Sequence, residues 1–204
     1  MASFGEALRI QRWDDHRYYH HNRINQSLHV VSALSFLVAY AVAFKDPATA
    51  ALIGWLLAMT SRQAGHLFFE PKGYDHVNHA THEHKEEIKV GYNLHRKVVL
   101  LAIWALSPLP LLFDPSFFGL FDPQNGLVRN VGWVWLWLAL AGLLFRVAQL
   151  FVLRDVQTGL VWATKILTDP FHDLKLYHKA PLALLQGEMI DREMLDEEAR
   201  EHHA

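Results

Sequence analysis

Four stretches of the chain, residues 27–44, 47–61, 98–113 and 130–153, carry almost no charge, and the last is interrupted by Arg146 and Gln149. Long apolar runs without strand-like alternation predict helices. A helix that crosses a bilayer needs roughly 20 apolar residues, with a range of about 17–25. The second stretch, at 15 residues, falls short of that range, so the buried core of a soluble helical bundle is the alternative reading. The connections are turn-like: Lys45-Asp46-Pro47 joins the first two stretches, and Asp114-Pro115 through Asp122-Pro123-Gln124-Asn125-Gly126 joins the last two. Pro and Gly end helices and make tight turns, and Pro108 and Pro110 are expected to kink or end the third helix. The pattern predicts one all-α domain over residues 1–204.

The placement of charge moves the prediction toward a membrane. Of the 19 Lys and Arg, Lys45 alone lies between the first two stretches and Arg129 alone between the last two. Arg146 lies inside the fourth. The other sixteen fall before the first stretch, in the central connection 62–97, or in the tail 154–204. With four spans these three regions share one side. Cytoplasmic loops carry excess Lys and Arg, so both termini and the central connection are predicted to be cytoplasmic. A soluble bundle has no reason to alternate in this way. Trp55, Trp104, Trp133, Trp135 and Trp137 lie in or beside the apolar stretches, where interfacial aromatics often sit.

Composition narrows the chemistry. A formal charge of -2 offers no concentrated basic surface for nucleic acid. The absence of cysteine excludes disulfides, thiolate catalysis and cysteine zinc sites. The first residues are charged and lack the apolar core of a secretory leader. The anomaly is 14 His. His16, His20 and His21 precede the first stretch, and His29 lies in its first turns. Six more, His66, His76, His79, His82, His84 and His95, sit in or at the edge of the central connection; His172, His178, His202 and His203 are in the tail. On the four-span topology every one lies at or near the same interface.

Their spacing suggests ligands. Residues three or four apart share a helix face, which aligns His16 with His20, His66 with Glu70, and His21 with Asn25 and His29. His76, His79 and His82 repeat every third residue. Imidazole with carboxylate suits iron, zinc and related transition metals, and an ionisable group at membrane depth is a functional-site hypothesis by default. The clustered charges around His84 and His95, and the terminal His202-His203, read as solvated surface.

Two segments resemble a known family. His20-x4-Asn25-x3-His29 is similar to the N-terminal motif of small multispanning 2-hydroxy-fatty-acid dioxygenases, and Gln63-Ala64-Gly65-His66-x3-Glu70 resembles that family's second motif. The resemblance covers about residues 16–71. It implies a helical membrane protein that uses Fe(II) and O2 to shorten 2-hydroxy fatty acids by one carbon at the cytoplasmic membrane face. The chain departs from the family after Glu70-Pro71, where about two dozen residues rich in His and charge replace a short link, and in the tail 168–181. That second cluster raises a dinuclear-iron lipid hydroxylase or desaturase as the runner-up, with a non-catalytic haem- or metal-binding membrane protein as a third reading.

The expected metal ligands are His20, His29 and His66, then Glu70, with His21 able to replace His20, and His79, His82, His172 and His178 available to a second ion. Asn25 and Gln63 suit hydrogen bonds that orient a ligand imidazole. Arg23 and Arg62 suit an acidic lipid head group. Topology is testable on its own: a reporter fused after Lys45 or within residues 122–126 is expected outside the cytoplasm, and one at either terminus inside. Cytoplasmic readout at all four positions, with the protein in the soluble fraction, refutes the membrane reading.

Overall fold

The computed structural model describes residues 2–70, 73–75, 78–88, 90 and 94–191. These are mostly helical and contain no strand, only two isolated bridges, Asn22 with Ile190 and Asp75 with Ala80. Helix α1 (Phe4–Tyr19) is capped by Ser3, and α2 (Arg23–Ala43) by the Asn22 side chain, which accepts from the Ile24 and Asn25 amides. Both caps satisfy donors that a helix start leaves orphaned.

Asp46 caps the next element, with Pro47 at its first position. This element is one rod built in four pieces: α3 (Pro47–Ile53), a π turn (Gly54–Met59), α4 (Thr60–Ala64) and a second π turn (Gly65–Phe69). The helix therefore runs well beyond residue 61, where charge first appears. A short α5 (His82–Ile88) lies in the central connection. Helix α6 (Leu94–Leu106) stops ahead of Pro108, and a 3-10 turn (Leu109–Leu112) carries Pro110, as expected of prolines that remove amide donors. A second 3-10 turn (Pro123–Asn125) leads into α7 (Leu127–Leu153). The segment after Leu153 is more than an appendage. Helix α8 (Val156–Tyr177), capped by Asp155, and α9 (Ala180–Leu185) pack back onto α2, and α8 also contacts α1 and α7.

Among the described residues two helices, α2 and α7, are long and apolar enough to cross a membrane. The apolar window of α7 is only 11% buried, with Leu144, Phe145 and Val152 each more than 60% exposed. A soluble core helix hides such a surface; a lipid-facing helix does not need to. At 13 residues α6 spans about 20 Å, short of a ~30 Å hydrocarbon core. The one charged residue deep in α7, Arg146, is turned inward and bonds Gln149 Oε1 at 2.6 Å and the Val90 carbonyl.

Packing is tight at two points. Trp55 and Trp104 stack at 5.0 Å; Trp55 Nε1 donates to the Trp135 carbonyl and Trp135 Nε1 to that of Trp104. These tryptophans join helices to one another rather than standing singly at an interface. Gly132 lets α7 approach α3 so closely that a Cβ there would stand 2.4 Å from the Ala48 carbonyl oxygen. Arg129 closes the same end on Asp46 at 2.8 Å. Overpacking of this kind costs about 1–3 kcal/mol, so Gly132→Val is expected to lower the melting temperature in detergent. Gly142→Val, where nothing lies within 4 Å, should not.

Candidate metal centre

Three elements converge where α1 turns into α2. His20 is the C-cap of α1, in a non-helical conformation that turns the chain between two helices. That turn is pinned by the first turn of α2: Asn25 Nδ2 donates to the Tyr19 carbonyl and Gln26 Nε2 to the His20 carbonyl, both at 2.8 Å. His29 follows one turn further along α2. His66 stands in the second π turn of the rod, a type of irregularity that recurs at functional sites. Gly65 allows the approach, because a Cβ there would meet Asn25 Oδ1 at 2.2 Å.

His20, His29 and His66 form the group of three that could hold a metal ion among the described residues. One ring nitrogen from each lies within 4.8 Å of the others. All three are buried, His29 completely. Their rings pack edge to face or tilted, with centroids 4.3 Å apart for His20–His29, 5.0 Å for His29–His66 and 5.2 Å for His20–His66.

Hydrogen bonding leaves nitrogens of His20 and His29 in this group without partners. His29 Nδ1 lies 3.2 Å from Asp173 Oδ2, and His66 Nδ1 lies 2.7 Å from Glu70 Oε2. A carboxylate only accepts, so Nδ1 of each ring donates, and Nε2 of the neutral ring carries a lone pair. His29 Nε2 and both nitrogens of His20 are buried with no hydrogen-bond partner. Buried polar atoms are almost always satisfied, and orphaned nitrogens that face one another fit a ligand set. Burial holds His20 and His66 well below the ordinary imidazole range, by disfavouring the charged ring. Both are thus neutral, the form that binds metal.

A second layer holds the first. Asp173 on α8 accepts from Arg62 Nη1 at 2.7 Å as well as from His29. Arg62 also faces Asp169 at 3.4 Å, and Lys165 pairs with Asp169 at 2.9 Å and with Asp15 at 2.5 Å. Glu70 also faces Lys97 at 3.9 Å. Tyr177 packs its ring 5.7 Å from that of His20, and its hydroxyl hydrogen-bonds His16 Nδ1 at 2.6 Å. Burial pushes the His16 imidazole down to about 4. A narrow cleft lined by Arg12, Asp15, His16, His172 and Leu176 opens beside this layer.

The remaining expected site residues are distributed as follows. Glu70 stands against His66 Nδ1, and Asn25 orients His20 through the backbone of Tyr19. Gln63 Oε1 is buried without a partner. Arg62 supports His29 through Asp173, while Arg23 pairs with Asp191 at 2.7 Å and Glu188 at 3.4 Å. His21 lies outside the group of three, with its Nε2 buried and unpartnered. His79 is exposed at a positive φ of 47°. His82 opens α5, half-buried. His172 rims the cleft, and His178 is exposed, its Nδ1 donating to the Lys175 carbonyl. None of these four joins the triad. His76, His202 and His203 lie outside the described residues.

The sequence reading missed Asp173, Asp169 and Tyr177. The signal was available: Lys165, Asp169, Asp173 and Tyr177 recur every fourth residue, Asp173 directly after His172 and Tyr177 directly before His178. Comparison with protein-family models finds no match, and neither curated proteins nor solved structures match the chain. The likeness to the 2-hydroxy-fatty-acid dioxygenases rests on the motif residues alone.

Carboxylates that orient a metal-bound histidine typically matter 10–100-fold in affinity. Asp173→Asn is expected to weaken metal binding by about that factor while the helical content stays intact. His29→Ala and His66→Ala should each lose most bound metal, and His178→Ala none. Metal titration of the purified variants checks all four.

Proposed function

We propose that the chain is a four-span membrane oxygenase in which His20, His29 and His66 hold a single Fe(II) ion at the cytoplasmic face, and that it acts on a fatty acyl substrate. The observation that carries this reading is the meeting of three buried imidazoles from the α1 cap, α2 and the rod, with His29 Nε2 and both nitrogens of His20 unpartnered. Their fit to a metal follows from donor chemistry, since neutral imidazoles suit iron among the transition metals.

His20, His29 and His66 would hold the ion, which would supply open positions for O2 and a substrate oxygen, as at non-haem iron sites. The chain's own groups do the rest. Asp173 and Glu70 fix the tautomer of His29 and His66. Arg62 keeps the Asp173 carboxylate charged and in place. Tyr177 and His16 close the cleft side of the site through their shared hydrogen bond. The apolar surfaces of α2 and α7 give an acyl chain a lipid-like path alongside the helices.

Three further points support this reading. Sixteen of the 19 Lys and Arg lie in the regions that share the histidines' side. The two motif segments that resemble the 2-hydroxy-fatty-acid dioxygenases contribute all three imidazoles. His29 and His66 meet edge to face at 5.0 Å, with no plane between them for a macrocycle, which favours a bare ion over haem.

Elemental analysis of anaerobically handled protein is expected to give one iron per chain. With Fe(II), the protein should consume O2 in the presence of a long-chain 2-hydroxy fatty acid and release a product shorter by one carbon, detected by mass spectrometry. A new hydroxyl or double bond on an unshortened chain transfers the assignment to a dinuclear hydroxylase or desaturase. No O2 uptake with any lipid, by iron-loaded protein, rejects both enzymatic readings.

A further inference from the structure

The segment after α7 carries enough charge to read as a soluble tail, yet α8 is built inside out. Val156, Leu160, Leu167 and Phe171 are 46–59% exposed. At about 100° per residue these four fall within an arc of roughly 60° on the helix. Lys165, Asp169 and Asp173 lie on the opposite face and are at most 7% exposed. The charges that make the segment look water-soluble are spent on the interior, on Asp15, Arg62 and His29. What remains outside is a continuous apolar stripe.

The position of that stripe says what covers it. The linker Arg154-Asp155 folds α8 directly back on α7, and a Cβ at Gly159 would stand 2.6 Å from the Phe151 ring. On its other side α8 crosses α2. Asp173 meets His29, and the Leu167 carbonyl accepts from the Tyr40 hydroxyl at 3.1 Å. His29 and Tyr40 are 11 residues apart, about 16 Å along α2, so Leu167 lies beside the second half of that helix. Phe171 packs its ring 6.4 Å from that of Tyr40. Helix α8 is therefore flanked by two helices long and apolar enough to cross a membrane, and both carry exposed apolar residues of their own, such as Val38 on α2 and Phe145 on α7.

We infer that α8 is embedded in the acyl region of the bilayer, with Leu160, Leu167 and Phe171 against lipid and Asp173 turned to His29. An exposed apolar face that continues a lipid-facing surface has lipid as its natural neighbour, and in water it is a standing cost. The helix then seals the carboxylate layer of the site from the hydrocarbon. This inference rests on the membrane reading above and adds a membrane element to it.

The chain has no cysteine, so single substitutions give clean labelling sites. Leu167→Cys, Phe171→Cys, Val38→Cys and Lys175→Cys are spin-labelled in the full-length protein, reconstituted in phosphatidylcholine–phosphatidylglycerol vesicles. Collision with O2, which concentrates in lipid, is compared with collision with a water-soluble nickel chelate. Circular dichroism first confirms wild-type helicity for each variant. Labels at 167 and 171 are expected to match Val38→Cys, with an O2-to-nickel ratio several-fold above that of Lys175→Cys. If 167 and 171 follow Lys175 while Val38 stays lipid-exposed, α8 lies in water and the inference is overturned, with the membrane reading intact. If 167 and 171 are shielded from both reagents, another protein surface covers the stripe, which also overturns it. If Val38 itself is open to nickel, the membrane reading fails with it.

Discussion

The carboxylate of Asp173 is the tie on which the site depends. Its Oδ2 takes a hydrogen bond from His29 on α2 and another from Arg62 on α4, while its own backbone belongs to α8. Three elements that are distant in sequence meet on one oxygen. A buried carboxylate is costly unless paired, and the guanidinium supplies that pairing. Arg62 in turn is anchored by Asp169, Asp169 by Lys165, and Lys165 by Asp15. The charges form a closed set, and the imidazole of His29 is the one member with a ring nitrogen left over.

Placing such a network inside reverses the usual arrangement of a globular protein. Here the interior of one end is Lys, Asp, Arg and His, and much of the surface is Leu, Val and Phe. This explains why an ordinary overall hydrophobic content of 51% says little about the environment. The polar residues that dilute the average are not evenly spread over a wet surface. Many are gathered where α1, α2, the rod and α8 cross, beside His16, His20, His29 and His66.

The apolar helices and the segments that carry the triad were legible in the sequence, because both are local patterns; α1, α8 and α9 were not. Apolar runs bounded by Asp-Pro, Pro and Gly mark helix ends, and the structure starts α3 and ends α6 at those residues. His20, His29 and His66 stood out because the segments that carry them resemble the two motifs of the 2-hydroxy-fatty-acid dioxygenases. Two further things were not legible. The register of α8 was one, since pairing Asp173 with His29 requires a contact across 144 positions, and the segment's two histidines drew the eye to the wrong face. The other was the length of the rod: Arg62 looks like the end of an apolar helix, whereas its charge is neutralised by partners on α8 and the helix continues to Phe69.

The two π turns in that rod have a consequence for how its faces are phased. A π turn accommodates about one more residue than an α turn, so each acts as a one-residue insertion absorbed without breaking the helix. An α-helical wheel drawn straight through residues 47–69 therefore mislocates its far end by about 100° per π turn. The half that packs Ala48 against Gly132 and the half that carries His66 have become rotationally independent. The apolar half can keep its fit to α7 while the polar half aims an imidazole at His20 and His29. The irregular stretch works as a joint in phase between a packing segment and a chemical one.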